Sequence, residues 1–373
     1  MITIVEVLDK KSLRSFIDFP HILYGSDHNY VPELFVAQHD MLKQGRHPFH
    51  HHAMLKLFLA FDENQIVGRI AGIINSRHNE FNEKNDGFFG FFDVVNRMDV
   101  TILLMNAVKK WQKSLGMTRI IGPVNFSTNE SCGLLIDGFE GPPVAMMPYN
   151  HAYYEKLIEG VGFYKYTDLL AHRFVSGKYN QRAMKLIERL EQRLSASQIR
   201  IRKINMRNFQ KESDNLRTIY NQAWDKNLGF VPMSTEEFDF AARDLKRIID
   251  PDFCLIAEKD GTAIGMALAI PDINQVLIKI KRGRLFPTGL LKLLLNKKKI
   301  NGIRILLLGV HESYRRLGIE ACLYGRIMEM FEQKDMQYAE ASWTLEDNEM
   351  VNRPIRDIGG KPYRRYRLYE RKL

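Results

Sequence analysis

The sequence predicts an α/β (α+β) chain of two related domains, and three observations carry that prediction. At 373 residues it is roughly two to three times the ~100–200 residues of one typical domain. Hydrophobic residues make up 45% and charged residues 26%, which excludes a disordered or collagen-like chain. The same order of segments, strand–strand–strand–helix–strand–helix, occurs twice with small residues at a fixed spacing.

The chain opens with MITIVEVLDKKSL, a strand leading into a helix, whose acids stand where a signal peptide needs an apolar core. Residues 55–74 (LKLFLAFDENQIVGRIAGII) read as two strands around a polar turn, with Gly68 early in the second. Residues 253–270 (FCLIAEKDGTAIGMALAI) repeat that plan around Asp260 and Gly261, with Gly265 in the matching place. Ala60 and Ala257 lie 197 apart, as do Gly68 and Gly265. Each hairpin leads to another apolar strand, residues 87–95 and 304–310, and then to an amphipathic helix, residues 99–115 and 319–333. Each half closes on a glycine, Gly162 and Gly359, again 197 apart. Between the halves, Met184, Ile187, Leu190 and Leu194 recur at helical spacing. The expected organisation is one domain over residues 1–177, a linker helix over 178–197 and a second domain over 198–373.

The formal net charge of +10 is local. Between Asp272 and Glu312 there are nine basic residues and no acid, and the last thirteen residues carry six basic residues against Glu370. The rest of the chain is slightly acidic, so a generic polyanion binder is not the default. Cys132, Cys254 and Cys322 form no closely spaced set, which argues against a disulfide framework or a Cys-rich zinc site. No uncharged apolar run reaches the ~18 residues of a membrane span. A cytoplasmic location is expected.

The most informative stretch is RILLLGVHESYRRLGIEACLYGRI, residues 304–327. An apolar strand ends at Val310, a polar turn carries Arg315, Arg316 and Gly318, and Ile319 opens a helix. Glycine before a helix lets backbone approach a ligand, and the first helical turn offers unpaired N–H groups with a positive dipole. With two arginines beside it, the turn reads either as a pyrophosphate cradle or as a solvated turn with surface charges.

VHESYRRLGIEA resembles the acyl-CoA-binding segment of the GNAT acetyltransferase superfamily, Arg/Gln-x-x-Gly-x-Gly/Ala after the fourth strand. Arg315 matches the first position and Gly318 the second. The resemblance extends to the hairpin at 253–270 and to the closing segment at 348–360. NHAYYEKLIEGVGF, residues 150–163, is similar to the family's closing helix and its Gly-Phe. It implies two GNAT-like domains, each a mixed, mostly antiparallel sheet flanked by helices, the first a degenerate copy without the cradle. It further implies acetyl-CoA or a longer acyl-CoA as co-substrate, held by Val310, Arg315, Arg316, Gly318 and Ile319, with an amine as acceptor. Three positions depart from the family pattern. Glu320 stands where the family has Gly or Ala, and Ile355 stands where it often has a Tyr as general acid. The third is Pro354, which would disturb the closing helix.

N-acyl transfer needs a base for the amine and an oxyanion stabiliser for the thioester carbonyl, and the resemblance adds an acid for the departing thiolate. His311 and Glu312, just past the strand end, and Tyr363 are the candidates, with Glu340 and Glu346 flanking the next strand. For each, packing or surface exposure is the commoner role. Tyr363 lies in PYRRYRLYERKL, whose alternation reads as an edge strand with its basic residues exposed. Asn125, Asn129 and Asp137, in a long Gly/Pro/Asn-rich loop, are acceptor-pocket candidates. His47, His50, His51 and His52 lack a completing carboxylate or Cys and read as a polar connector, so no metal is expected. The basic stretch from Lys279 to Arg304 is a solvated loop or a contact for a polyanion, tRNA or an anionic membrane. The expected function is an acyl-CoA-dependent N-acyltransferase. The alternatives are a non-catalytic CoA-binding or tRNA/membrane-associated protein, or a Fem-like aminoacyl transferase.

Overall fold

A computed structural model describes residues 1–223 and 229–373. These group by their contacts into two units. Unit 1 comprises Met1–Leu169, Asn274–Lys298 and Arg364–Leu373, and unit 2 comprises Leu170–Ile273 and Lys299–Tyr363.

Unit 1 contains strands β1 (Ile2–Glu6), β2 (Ala53–Asp62), β3 (Gln65–Asn75), β4 (Asp86–Val94), β5 (Arg119–Gly122), β6 (Val124–Asn125), β7 (Ser131–Cys132) and β8 (Leu134–Asp137). Its helices are α1 (Lys10–Leu23), α2 (Phe35–Leu42), α3 (Ser76–Asn82), α4 (Met98–Ser114) and α5 (Tyr153–Gly160). Strand β9 (Tyr164–Val175) then runs from unit 1 into unit 2. The sheet order β1-β2-β3-β4-β5 is antiparallel until the parallel β4–β5 pair. Helix α4 lies close on β3 because glycine leaves room: a Cβ on Gly68 would stand 2.7 Å from Leu104, and one on Gly72 2.9 Å from Trp111.

Unit 2 repeats the plan. Helix α6 (Gln181–Ala196) leads to β10 (Ile199–Lys203), α7 (Phe209–Ala223), α8 (Thr235–Leu245), β11 (Cys254–Lys259) and β12 (Thr262–Pro271). After the excursion through α9 (Asn274–Leu277) and α10 (Gly289–Asn296) in unit 1, it resumes with β13 (Gly302–Val310) and α11 (Ile319–Gln333). β14 (Tyr338–Leu345) and α12 (Glu349–Ile358) follow, and β15 (Lys361–Lys372) carries the chain back to unit 1. The ladders match residue for residue at the repeat positions. Ala60 pairs with Gly68 and Gly68 with Val94; Ala257 pairs with Gly265 and Gly265 with Val310. Gly162 and Gly359 both take positive φ, 83° and 120°, where they follow a helix.

The helix expected as a linker packs within unit 2. Ile187 and Leu194 of α6 are buried in its core, with Leu190 packed against it. Gly318 and Gly325 of the α11 segment leave room for them, since a Cβ there would stand 2.3 Å from Leu190 and 2.6 Å from Ile187.

The reading of β15 as an edge strand with exposed cations is corrected. It pairs with β5 through Tyr369↔Gly122, and Arg364 is 2% exposed, donating to the carbonyls of Gly138, Glu140, Gly141 and Pro142. Arg365 and Arg367 both reach the buried Asp168 carboxylate. The alternation of basic residues therefore records buried ion pairing as well as exposure.

His172 on β9 is fully buried, and neither ring nitrogen has a hydrogen-bond partner among the described residues. Burial, with a smaller push from the Arg356 cation, holds its pKa down at about 4 against an ordinary 6.5. The unfolded chain therefore takes up this proton first, and stability falls as pH drops from about 6.5 to about 4. The His172→Leu variant is expected to lose part of that acid sensitivity, up to about 3 kcal/mol, read as a flatter melting temperature against pH. His21 in unit 1, also held at about 4 by burial, contributes with the same sign and remains in the variant.

Candidate functional site

In unit 2 the parallel β13–β14 register covers only Gly302↔Tyr338 to Ile305↔Ala341, while the strands continue to Val310 and Leu345. A register shift against β12 between Leu268 and Ala269, paired with Leu307 and Ile305, places a bulge at Leu306. A bulge bends its strand and ends local pairing. Beyond it Leu306, Leu307 and Leu308 are half-buried although they lie on an internal strand, and Trp343, Thr344 and Leu345 on β14 are likewise half-buried. The two strands thus diverge into a wedge with apolar walls.

At the open end of β13 lies the turn that the sequence singles out. Gly318 is the N-cap of α11 with φ 85°, in the left-handed region, and Cys322 is the first residue of the helix to bond back, to the Gly318 carbonyl at 3.1 Å. The N–H groups ahead of it are the ones a helix leaves without an internal partner. Arg315 folds inward, its Nε donating to the Val310 carbonyl (3.3 Å) and Nη2 to the Ala223 carbonyl (3.0 Å). It ties the turn to the strand end and to the last residue of α7. Arg316 is exposed with φ 66°, and Ile319 is fully buried. Glu320 is half-buried, and burial pushes its carboxyl up from the ordinary value against the pull of Arg315.

At the closed end of the wedge is a polar cluster. Glu340, opposite Arg304 in the ladder, is 0% exposed, and its carboxylate accepts hydrogen bonds from Tyr363 Oη and Ser342 Oγ. Arg304 Nε donates to Ser342 Oγ at 3.0 Å and Nη2 to the Ser342 carbonyl at 3.2 Å. The Arg173 guanidinium stands 4.4 Å from the Tyr338 ring centre and 5.4 Å from that of Tyr363. Tyr338 in turn donates to Asp272. A buried carboxylate holding a half-exposed phenol is an arrangement able to accept and return a proton.

Of the residues read from sequence, the structure joins Val310, Arg315, Arg316, Gly318 and Ile319 in one turn, and places Tyr363 on Glu340. His311 and Glu312 lie at the open end of β13, away from that cluster; His311 Nδ1 accepts the Ser313 N–H, and Glu312 is exposed. Ile355 is fully buried in the unit 2 core. Asn125, Asn129 and Asp137 belong to unit 1. Asn125 Oδ1 accepts the Phe91 N–H at 2.8 Å, the Asn129 N–H donates to Ser127 Oγ at 3.1 Å, and Asp137 is exposed on β8, opposite Arg365.

The equivalent opening in unit 1 is filled. β4 pairs with β5 only as far as Phe88↔Ile121. β6 then closes on β4, so that a Cβ on Gly90 would stand 2.0 Å from the Val124 carbonyl oxygen. Phe126 seals the place, stacked on Phe49 at 4.6 Å with His47 and His50 edge-on to it. His50 Nε2 bonds the Met41 carbonyl, and His47 Nδ1 accepts the Phe49 N–H. Among the described residues no group of three His, Cys, Asp or Glu is placed to hold a metal ion, and no helix is long and apolar enough to cross a membrane.

Sequence reasoning missed Arg304, Ser342 and Arg173. Arg304 was counted among exposed cations, yet is 3% exposed. Its place in register with Glu340 was the available signal, but only once the parallel β13–β14 pairing is known.

No protein-family model matches the chain. It is 35% identical to Protein YghO of Escherichia coli (strain K12), over 98% of this chain and 94% of that protein. It is 31% identical to the bacterial ceramide synthase of Caulobacter vibrioides, over 100% of this chain and 98% of that protein. Among solved structures, a tandem GNAT protein from the clavulanic acid biosynthesis pathway covers 100% of this chain, and the chain 98% of it, with a TM-score of 0.58 at 9% identity. A GCN5-related N-acetyltransferase from Sphaerobacter thermophilus matches 85% of this chain and 80% of its own, with a TM-score of 0.51 at 12% identity. The fold of the chain is that of a tandem GNAT protein. Within that fold the chain belongs to the family of Protein YghO and the bacterial ceramide synthase.

Proposed function

We propose that this protein transfers a fatty acyl group from acyl-CoA to the amine of a long-chain amino alcohol. The observation that carries the chemistry is the Glu340–Tyr363 pair at the closed end of an apolar wedge. The substrate class rests on the 31% identity to a bacterial ceramide synthase along the whole chain. A ceramide is the amide of a fatty acid with a long-chain amino alcohol, and half-exposed Leu306, Leu307 and Leu308 offer an apolar wall for such chains.

In this reading the thioester enters along β13, its pyrophosphate toward the first turn of α11, with Arg316 as an exposed cation beside it. Arg315 positions that turn through Val310. Tyr363, backed by Glu340, takes a proton from the ammonium of the acceptor, and the free amine attacks the thioester carbon. A C–N bond forms and the C–S bond breaks; of the two protons the nitrogen loses, the first returns through Tyr363 to the departing thiolate and the second leaves to solvent. Tyr363 thereby fills the acid role that the family often gives to the position of Ile355. In this reading the CoA thioester donor is met in the cytoplasm.

The test is CoA thiol release with acetyl-CoA and palmitoyl-CoA over a panel of sphinganine, an alkylamine of equal length and short amines. Release that depends on sphinganine and favours the long acyl donor is expected. No amine-dependent release with any pair would remove the acyltransferase reading in favour of a non-catalytic CoA-binding protein.

A further inference from the structure

Helix α10 presents a face that nothing in unit 1 covers. Leu290, Leu291, Leu294 and Leu295 are 38%, 58%, 66% and 65% exposed, and Phe286 just before the helix is 77% exposed. At 100° per residue the four leucines occupy one side of the helix. The other side is seated: a Cβ on Gly289 would stand 2.3 Å from the Arg284 carbonyl oxygen and 2.9 Å from Ile280. The segment before the helix is anchored by Asn274 Nδ2 on the Pro143 carbonyl (2.9 Å) and by Arg284 on Asp18 (2.7 Å) and over Phe35 (3.5 Å). A well-anchored segment therefore holds five large apolar side chains in water.

Exposed cations bracket that face, with Lys281 and Arg282 before it and Lys297 and Lys298 after it. Lys292 sits on its flank, its Nζ donating to the Lys279 carbonyl at 2.8 Å. No acidic residue occurs between Asp272 and Glu312. Apolar side chains flanked by cations on a short helix fit the boundary of an anionic bilayer, where leucine enters the acyl region and lysine meets the headgroups. Five apolar side chains are far fewer than the roughly 20–30 residues per side of a stable interface between copies. With Phe286 as its one aromatic residue, the segment lacks the stacking platform of an RNA-binding surface.

We infer that α10 with Phe286 is a membrane-docking element that seats unit 1 on an anionic lipid bilayer. The inference stands apart from the acyl-transfer reading, since docking needs neither acyl-CoA nor amine.

Flotation of the full chain with vesicles tests it, comparing phosphatidylcholine alone with phosphatidylcholine containing about 30 mol % phosphatidylglycerol. Partition should be at least ~10-fold higher on the anionic vesicles and fall steeply between about 0.05 and 0.5 M NaCl. The L291S/L294S variant should lose it, and the K297A/K298A variant should lower it about 10-fold on anionic vesicles alone. These positions are exposed, so circular dichroism should match the native chain. The inference is overturned if the native chain does not float, or if the leucine variant floats equally well. Self-association abolished by L291S/L294S without any flotation would assign the face to a second copy. Binding of tRNA lost in K297A/K298A, again without flotation, would assign it to RNA.

Discussion

Glu340→Gln is expected to lower kcat for acyl transfer by about 10²–10⁴, with the KM for the thioester little changed. The substitution keeps the shape but leaves one amide oxygen to accept where the carboxylate uses Oε1 for Ser342 Oγ and Oε2 for Tyr363 Oη, and it removes the proposed base. Tyr363→Phe removes the hydroxyl proposed to face the reactants and should lower kcat to a similar extent. If the two act as one relay, the double variant should be no slower than the worse single variant, a non-additivity that independent residues would not show. Additive losses, or a Glu340→Gln variant with native kcat, would remove the pair from the chemistry.

Gly90→Ala is expected to destabilise the protein by about 3 kcal/mol, seen as a lower melting temperature. The added carbon would stand 2.0 Å from the Val124 carbonyl oxygen, 2.7 Å from its carbon and 2.9 Å from Asn125 Oδ1. Two of those atoms are backbone, so relief requires moving β6 rather than turning a side chain. That motion pulls Asn125 from the Phe91 N–H and Phe126 from its seat on Phe49. A melting temperature equal to that of the native protein would mean that β6 does not fill the opening in unit 1.

Much of the fold was legible because it rests on local patterns. The two hairpins with Ala60, Gly68, Ala257 and Gly265, the helix stripe of Ile187, Leu190 and Leu194, and the strand-to-helix turn at Gly318 each follow from periodicity and glycine placement. Gly318 shows the limit of that reasoning. Sequence assigns its missing side chain to a ligand, whereas in the fold the space is taken by Leu190, and the positive φ is a second reason for glycine.

The site was less legible because it depends on pairing between distant segments. The bulge at Leu306 has no signature within RILLLGV and arises from the mismatch of β13 against β12. Arg304 and Glu340 become neighbours only through the parallel β13–β14 register, and Tyr363 joins them from the start of β15. The basic run was likewise read as one feature. Its parts divide in the fold: Arg284 pairs with Asp18, Arg304 is buried with Ser342, and Lys297 and Lys298 remain exposed beside the leucine face.

The most direct measurement is the mass of the product formed from ¹³C-acyl-labelled palmitoyl-CoA and sphinganine. The account predicts a labelled N-acyl amide that appears with one equivalent of CoA thiol and is lost in Glu340→Gln. Recovery of intact thioester, or of free labelled fatty acid with unmodified sphinganine, would contradict it.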